Sequence, residues 1–109
     1  MNFLDFGCGY GRIGIPVINY LNKNRYIGLD LSRERIRLAK EYLSYKSLDF
    51  KKATFFCSHN KNLKDLVKGK KFDFILIYTV ICHNPLKEVE EIISSVKPFL
   101  KKKGFLLFD

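Results

Sequence analysis

Three glycines at alternate positions constrain this chain more than any other feature. They fall in Asp5-Phe6-Gly7-Cys8-Gly9-Tyr10-Gly11, directly after the apolar run Phe3 to Phe6 and directly before a stretch with Ile13, Val17, Ile18 and Leu21 at helical spacing. Glycine lets a backbone turn sharply and lets a ligand approach it closely. The start of the helix that follows favours a negative ligand group. A strand, a tight glycine turn and a helix from about Gly11 to Asn22 together form the opening of a βαβ unit, and Pro16 falls in the opening turns of that helix, where proline is tolerated.

The rest of the chain repeats the alternation. Tyr26 to Asp30 reads as a second strand, and Ser32 is an N-cap candidate for a helix with Ile36, Leu38, Ala39, Tyr42 and Leu43 on its inner side. Arg33, Arg35, Arg37, Lys40 and Glu41 largely fill the other face. Ala53 to Cys57 is a third strand and Asn62 to Val67 a short helix or turn, closed by Gly69. Phe72 to Tyr78 is the most apolar strand, expected to be buried on both faces as in a parallel sheet. A helix from about Leu86 to Leu100, a turn at Lys101 to Gly104 and a fifth strand at Phe105 to Phe108 complete the pattern. Strands alternating with helices predict right-handed crossovers around one parallel sheet. With 109 residues and no internal repeat or linker, a single domain over residues 1–109 is expected.

Composition removes several classes. The longest apolar run, Phe74 to Cys82, has nine residues, far short of the roughly 20 that a membrane span needs. Asp5 and the glycines arrive too early for a secretory signal. Cys8, Cys57 and Cys82 are an odd, widely spaced set without CxxC, which argues against a disulfide framework or a zinc site and fits a reducing cytoplasm. The formal charge of +9 invites a nucleic-acid partner. However, fifteen of the twenty basic residues are lysine, and Asn, Ile, Phe and Tyr are abundant too. This is the drift of an AT-rich coding sequence, so nucleic acid is possible but not favoured and the lysines are expected to be merely solvated.

The glycine loop by itself indicates a nucleotide-like ligand. Gly9-Tyr10-Gly11-Arg12-Ile13-Gly14 matches the bare GxGxxG of dinucleotide enzymes, which keeps a nicotinamide-dependent oxidoreductase as an alternative. Asp30 ends the second strand, where a carboxylate can accept hydrogen bonds from both hydroxyls of a ribose.

Taken together, these segments resemble the class I, Rossmann-like S-adenosylmethionine-dependent methyltransferases. Leu4 to Gly11 looks like that family's first motif, and Tyr26-Ile27-Gly28-Leu29-Asp30-Leu31-Ser32 looks like its second-strand motif. Lys71 to Ile77 resembles the fourth-strand signature, and Val96 to Leu100 followed by Gly104 to Leu107 resembles the helix and fifth strand. Asp5, two residues before the first glycine, and the order of the later motifs distinguish the chain from a dehydrogenase.

The resemblance implies an α/β, three-layer fold with a parallel sheet in the order 3-2-1-4-5. It implies S-adenosyl-L-methionine as cofactor. Gly7, Gly9, Gly11 and the Cys8 backbone would lie against its methionine part, with Asp5 near the ammonium, directly or through water. Asp30 would hold the ribose and Leu31 would flank the adenine, with simple core as the alternative for Leu31. Ser58-His59-Asn60 occupies the place where many relatives carry an adenine-binding Asp; Asn60 would offer a carbonyl acceptor and His59 a ring edge, with a plain polar loop as the alternative, and Tyr78 would complete the cofactor set. The substrate side would lie at Tyr78 to Pro85, beyond the fourth strand. His83 is the titratable group there suited to accept a proton near neutral pH. Asn84-Pro85 faintly resembles the motif of amide- and base-nitrogen methylating enzymes, but Leu86 follows and the offset is too long.

The expected reaction is methyl transfer to an acceptor that is a small molecule by default. A catalytically degenerate cofactor-binding or scaffold protein is the alternative. By the family's pattern two more strands follow the fifth, and a helix or lid precedes the first. Their lack suggests a fragment, a truncated product, or a chain completed by self-association through the edge at Phe105 to Phe108.

Overall fold

The computed structural model describes residues 1–57, 63–77 and 85–108. In chain order these form β1 (Phe3–Phe6), α1 (Gly14–Tyr20), β2 (Tyr26–Asp30), α2 (Arg33–Tyr45), β3 (Thr54–Cys57), α3 (Leu63–Val67), β4 (Phe72–Ile77), α4 (Pro85–Val96) and β5 (Leu100–Phe108). Short 3-10 turns precede β3 and follow α4. The strands make one five-stranded sheet in the order β3-β2-β1-β4-β5, and every pairing is parallel. The predicted topology and strand order are therefore those observed.

Alternation along each strand sends neighbouring side chains to opposite helical layers. Phe3 of β1, Tyr26 of β2 and Leu76 of β4 join Ile15 and Ile18 of α1 and Ile36, Ala39 and Leu43 of α2 in one core. Leu4, Ile27, Ile75 and Ile77 join Leu63 and Val67 of α3 and Ile92 and Val96 of α4 in the other. The sheet is thus the middle of three layers.

Local chemistry sets the helix limits. Ser32 caps α2 as its spacing predicts, its Oγ accepting from the Arg35 N–H at 3.2 Å. On the outer face Arg37 bonds Glu41 at 2.6 Å and also pairs with Glu34. α1 is shorter than its spacing suggests. Gly11 has φ +90°, outside the helical range, so the helix starts at Gly14 with Ile13 as an exposed N-cap. α4 ends at Val96, because Pro98 lacks the N–H that an α-helix would need.

β5 departs most from expectation. Lys101 to Gly104 are strand rather than turn, and the register with β4 slips between Leu100↔Phe72 and Phe105↔Phe74, forming a bulge. Gly104 makes this possible, since a Cβ there would meet the Phe72 and Asp73 carbonyl oxygens at 3.0 Å. β4 is buried at Phe72 and Ile75 to Ile77, whereas Asp73 and Phe74 are half-buried. Asp73 Oδ2 accepts from the Asn2 N–H at 2.6 Å. Among the described residues Cys8 and Cys57 are free thiols, no cluster could hold a metal ion, and no helix is long and apolar enough to cross a membrane.

Candidate functional site

β1 and β2 lie side by side in register, Phe3↔Tyr26 through Phe6↔Leu29, so their carboxyl ends deliver the glycine loop and Asp30 to the same place. The loop is pinned to β2, because the Gly7 and Cys8 N–H groups both donate to the Leu29 carbonyl, at 2.7 and 2.9 Å. Gly7, Gly9 and Gly11 all have positive φ, +88°, +57° and +90°. At Gly11 a Cβ would also meet Ile15 Cγ1 at 2.9 Å, so glycine is needed for the loop to sit on α1. At Gly9 a Cβ would meet nothing within 4 Å, so the loop has an open side there.

Asp30 is buried at 8% exposure and ties this arrangement together. Its Oδ2 accepts from the Gly9 N–H and its Oδ1 from the Ser32 N–H, both at 2.9 Å. The Arg35 guanidinium stands 3.9 Å from Oδ1 and 5.8 Å from the centre of the exposed Tyr10 ring. Each carboxylate oxygen has two lone pairs, so Asp30 is fixed in position yet retains capacity to accept from a ligand.

Asp5 lies deeper, at 2% exposure, and its Oδ2 accepts from the Tyr26 hydroxyl at 2.6 Å. Burial pushes its carboxyl up to about 6; the Tyr26 hydrogen bond works against that shift and the Asp30 charge adds to it. Burial, followed by repulsion from Asp5, also raises the Tyr26 hydroxyl, which therefore stays protonated as the donor. Gly14 makes room for the pair, since a Cβ there would lie 2.3 Å from Tyr26 Oη and 3.2 Å from Asp5 Oδ2. The Cys8 thiol is raised strongly by burial and by both carboxylates, so it is a packed, protonated group rather than a nucleophile.

The structure brings together Asp5, Gly7, Cys8, Gly9, Gly11, Asp30 and Leu31 of the predicted set. Leu31 is 68% exposed beside Asp30, which overturns the reading of it as core. His59, Asn60, Tyr78 and His83 lie outside the described residues. Tyr26 and Gly14 were not predicted site residues. Gly14 is the last glycine of the GxGxxG match, but that pattern does not say that its missing side chain clears a tyrosine from the next strand.

A model of a methyltransferase domain family matches residues 4–106. Among solved structures, a Pyrococcus horikoshii protein superposes with a TM-score of 0.79 at 24% identity, over 98% of this chain and 47% of its own. Magnesium protoporphyrin IX methyltransferase from Synechocystis, with bound S-adenosylhomocysteine (SAH), gives 0.75 at 23% identity, over 93% and 43%. The plantazolicin methyltransferase BpumL in complex with SAH gives 0.73 at 26% identity, over 99% and 38%. The chain therefore spans less than half the length of each of these structures. With a family model running from β1 into β5 and the glycine loop, the acid at the end of β2 and the strand order all in place, the chain belongs to the methyltransferase domain family.

Proposed function

We propose that this chain binds S-adenosylmethionine over the loop from Gly7 to Gly11 and directs its methyl group to a small-molecule acceptor. The observation that carries this reading is Asp30, a buried carboxylate held by Gly9 and Ser32 with acceptor capacity to spare, at the mouth of a loop whose Gly9 side is open. A vicinal diol is the natural partner for such a group. SAH in two neighbours, one a porphyrin methyltransferase and one acting on plantazolicin, supports both the cofactor and the acceptor class.

Bound S-adenosylmethionine supplies a methyl group already activated by the sulfonium. The chain's own task is then to bind, orient and exclude water, which by the effective-molarity argument can supply about 7 kcal/mol or more of the barrier. The backbone of Gly7, Cys8, Gly9 and Gly11 would take the amino-acid part. Asp5 would act as a fixed negative charge beneath the ammonium, with Oδ2 occupied by Tyr26 and Oδ1 left for a direct or water-borne contact. Leu31, exposed beside Asp30, would flank the base, and His59, Asn60 and Tyr78 would complete its surroundings. His83 would serve as the base if the acceptor must lose a proton.

Titration calorimetry tests the cofactor site. Asp30→Ala should weaken S-adenosylmethionine binding by about 1 to 3 kcal/mol, through loss of charge-assisted hydrogen bonds. Unchanged affinity in a folded variant would sink the assignment. Tight binding with no methyl transfer across a broad acceptor panel would favour the degenerate, cofactor-binding reading instead.

A further inference from the structure

A parallel sheet gathers the entrances of all its strands at one end, opposite the glycine loop, and half of the chain's twenty lysines and arginines are collected there. Lys23 and Arg25 lead into β2, and Lys51 and Lys52 lead into β3. The run Lys68 to Lys71 leads into β4, and the triple lysine 101–103 occupies the bulge of β5 against the start of β4. At the roughly 4.8 Å spacing of neighbouring strands, five entrances span about 19 Å.

Hydrogen bonds make this pole continuous. Lys70 Nζ donates to the Asn24 carbonyl at 3.3 Å, and the Asn24 N–H donates to the Lys51 carbonyl at 2.9 Å. Asn2 bridges the centre, accepting from Arg25 at 3.2 Å and donating to the Lys71 carbonyl at 3.0 Å. The amines of Lys51, Lys70 and Lys71 rest on the carbonyls of Leu21, Asn24 and Pro98, which fix them without cancelling their charge. Among the described residues of this pole only Lys101 meets a carboxylate, that of Asp73 at 3.2 Å. On α2, by contrast, Arg37 is held between two glutamates.

Two features add to the charge. Phe50 is 56% exposed, with Lys51 Nζ 5.6 Å from its ring centre. A furrow of about 840 Å³ between α3 and the turn after α4 is walled by Lys64, Asp65, Lys68, Lys71, Pro98 and Phe99. Fixed, uncompensated cations beside an exposed ring are what a single-stranded nucleic acid requires: counterion release drives phosphate contact and an aromatic face takes a base. Exposed rings, Phe50 with Tyr20 and Tyr45 at the ends of α1 and α2, suit base stacking, whereas an anionic bilayer calls for a broad apolar face. Lysine excess from codon drift alone would scatter over the surface, and here topology concentrates it.

We propose that the strand-entrance end of the sheet is a binding surface for single-stranded nucleic acid, with phosphates along the lysine row and a base on Phe50. The surface is separate from the glycine loop, so its test needs no cofactor. Fluorescence anisotropy of a labelled polyuridine of about 20 nucleotides, from about 50 to 200 mM salt, should show binding whose log–log salt slope is steeper than about −2. Lys68→Gln with Lys102→Gln, two exposed side chains with no internal bond to lose, should flatten that slope by about 1.4. Lys40→Gln in α2 with Lys87→Gln at the start of α4, equal in charge removed and away from the strand entrances, should leave it unchanged. Phe50→Ala should weaken binding about 5- to 100-fold. Absence of salt-dependent binding, equal loss in both lysine pairs, or tighter binding to phosphatidylserine vesicles than to the RNA would each overturn the proposal.

Discussion

Asp5 and Tyr26 meet across two adjacent strands, and their hydrogen bond places a titratable group under the candidate cofactor loop. Because the folded chain holds the Asp5 proton with a pKa of about 6, against 3.8 ordinarily, the native state binds it more tightly than the unfolded state does. The stability this contributes is complete below about pH 4 and is lost as pH rises through about 6, a span worth roughly 3 kcal/mol. Asp5→Asn cannot ionise yet can still accept from Tyr26. Urea unfolding of both proteins at about pH 4 and pH 7 should therefore show wild type losing roughly 2.4 kcal/mol of that span relative to the variant, and a difference that does not change with pH would contradict the buried-acid account. At this scale the acids and glycines of the loop were legible in sequence, since each is a residue type chosen for charge or for positive φ. The roles of Tyr26 and Gly14 were not, because they depend on which side chain from β2 arrives over α1. Family membership also removes the dinucleotide reading of Gly9 to Gly14, which the spacing alone had left open.

Elements were legible wherever a local signal sets them. β2 runs over its predicted span, and the Ser32 cap is observed with its hydrogen bond. β5 was misread at its start because Lys101-Lys102-Lys103-Gly104 has turn composition, while pairing with β4 holds it as bulged strand. Non-local hydrogen bonding outweighs local propensity there. Gly104 is the residue that permits the close approach, with the β4 backbone 3.0 Å from its would-be Cβ. Gly104→Ala should thus cost about 1 to 3 kcal/mol by overpacking. Amide exchange should localise the loss to β5 and the start of β4; uniform loosening of all five strands, or none, would rule out the bulge as its cause.

Over the whole molecule, the sheet leaves one apolar strip at its β5 side. Phe105 is 59% and Leu107 43% exposed, and Phe105 stacks on Phe74 at 5.5 Å. Leu107 also borders a shallow hollow of about 510 Å³ with Met1, Phe3, Tyr20 and Phe74. An apolar edge of this kind favours self-association. Phe105→Glu should weaken any concentration-dependent assembly about 10- to 100-fold in sedimentation, since covering a phenylalanine contributes about 1.5 to 3 kcal/mol. An unchanged distribution would show that the strip plays no part.

Sequence by itself determined the alternation of strands and helices, the glycine loop and the acid at the end of β2, because periodicity, capping and positive φ are local properties carried by residue type. Tertiary structure alone decided which groups meet. The Tyr26–Asp5 bond, the exposure of Leu31, the β5 bulge and the gathering of lysines at the strand entrances all arise from contacts between segments far apart in the chain. Such contacts follow from strand order and register, which no short stretch of residues encodes.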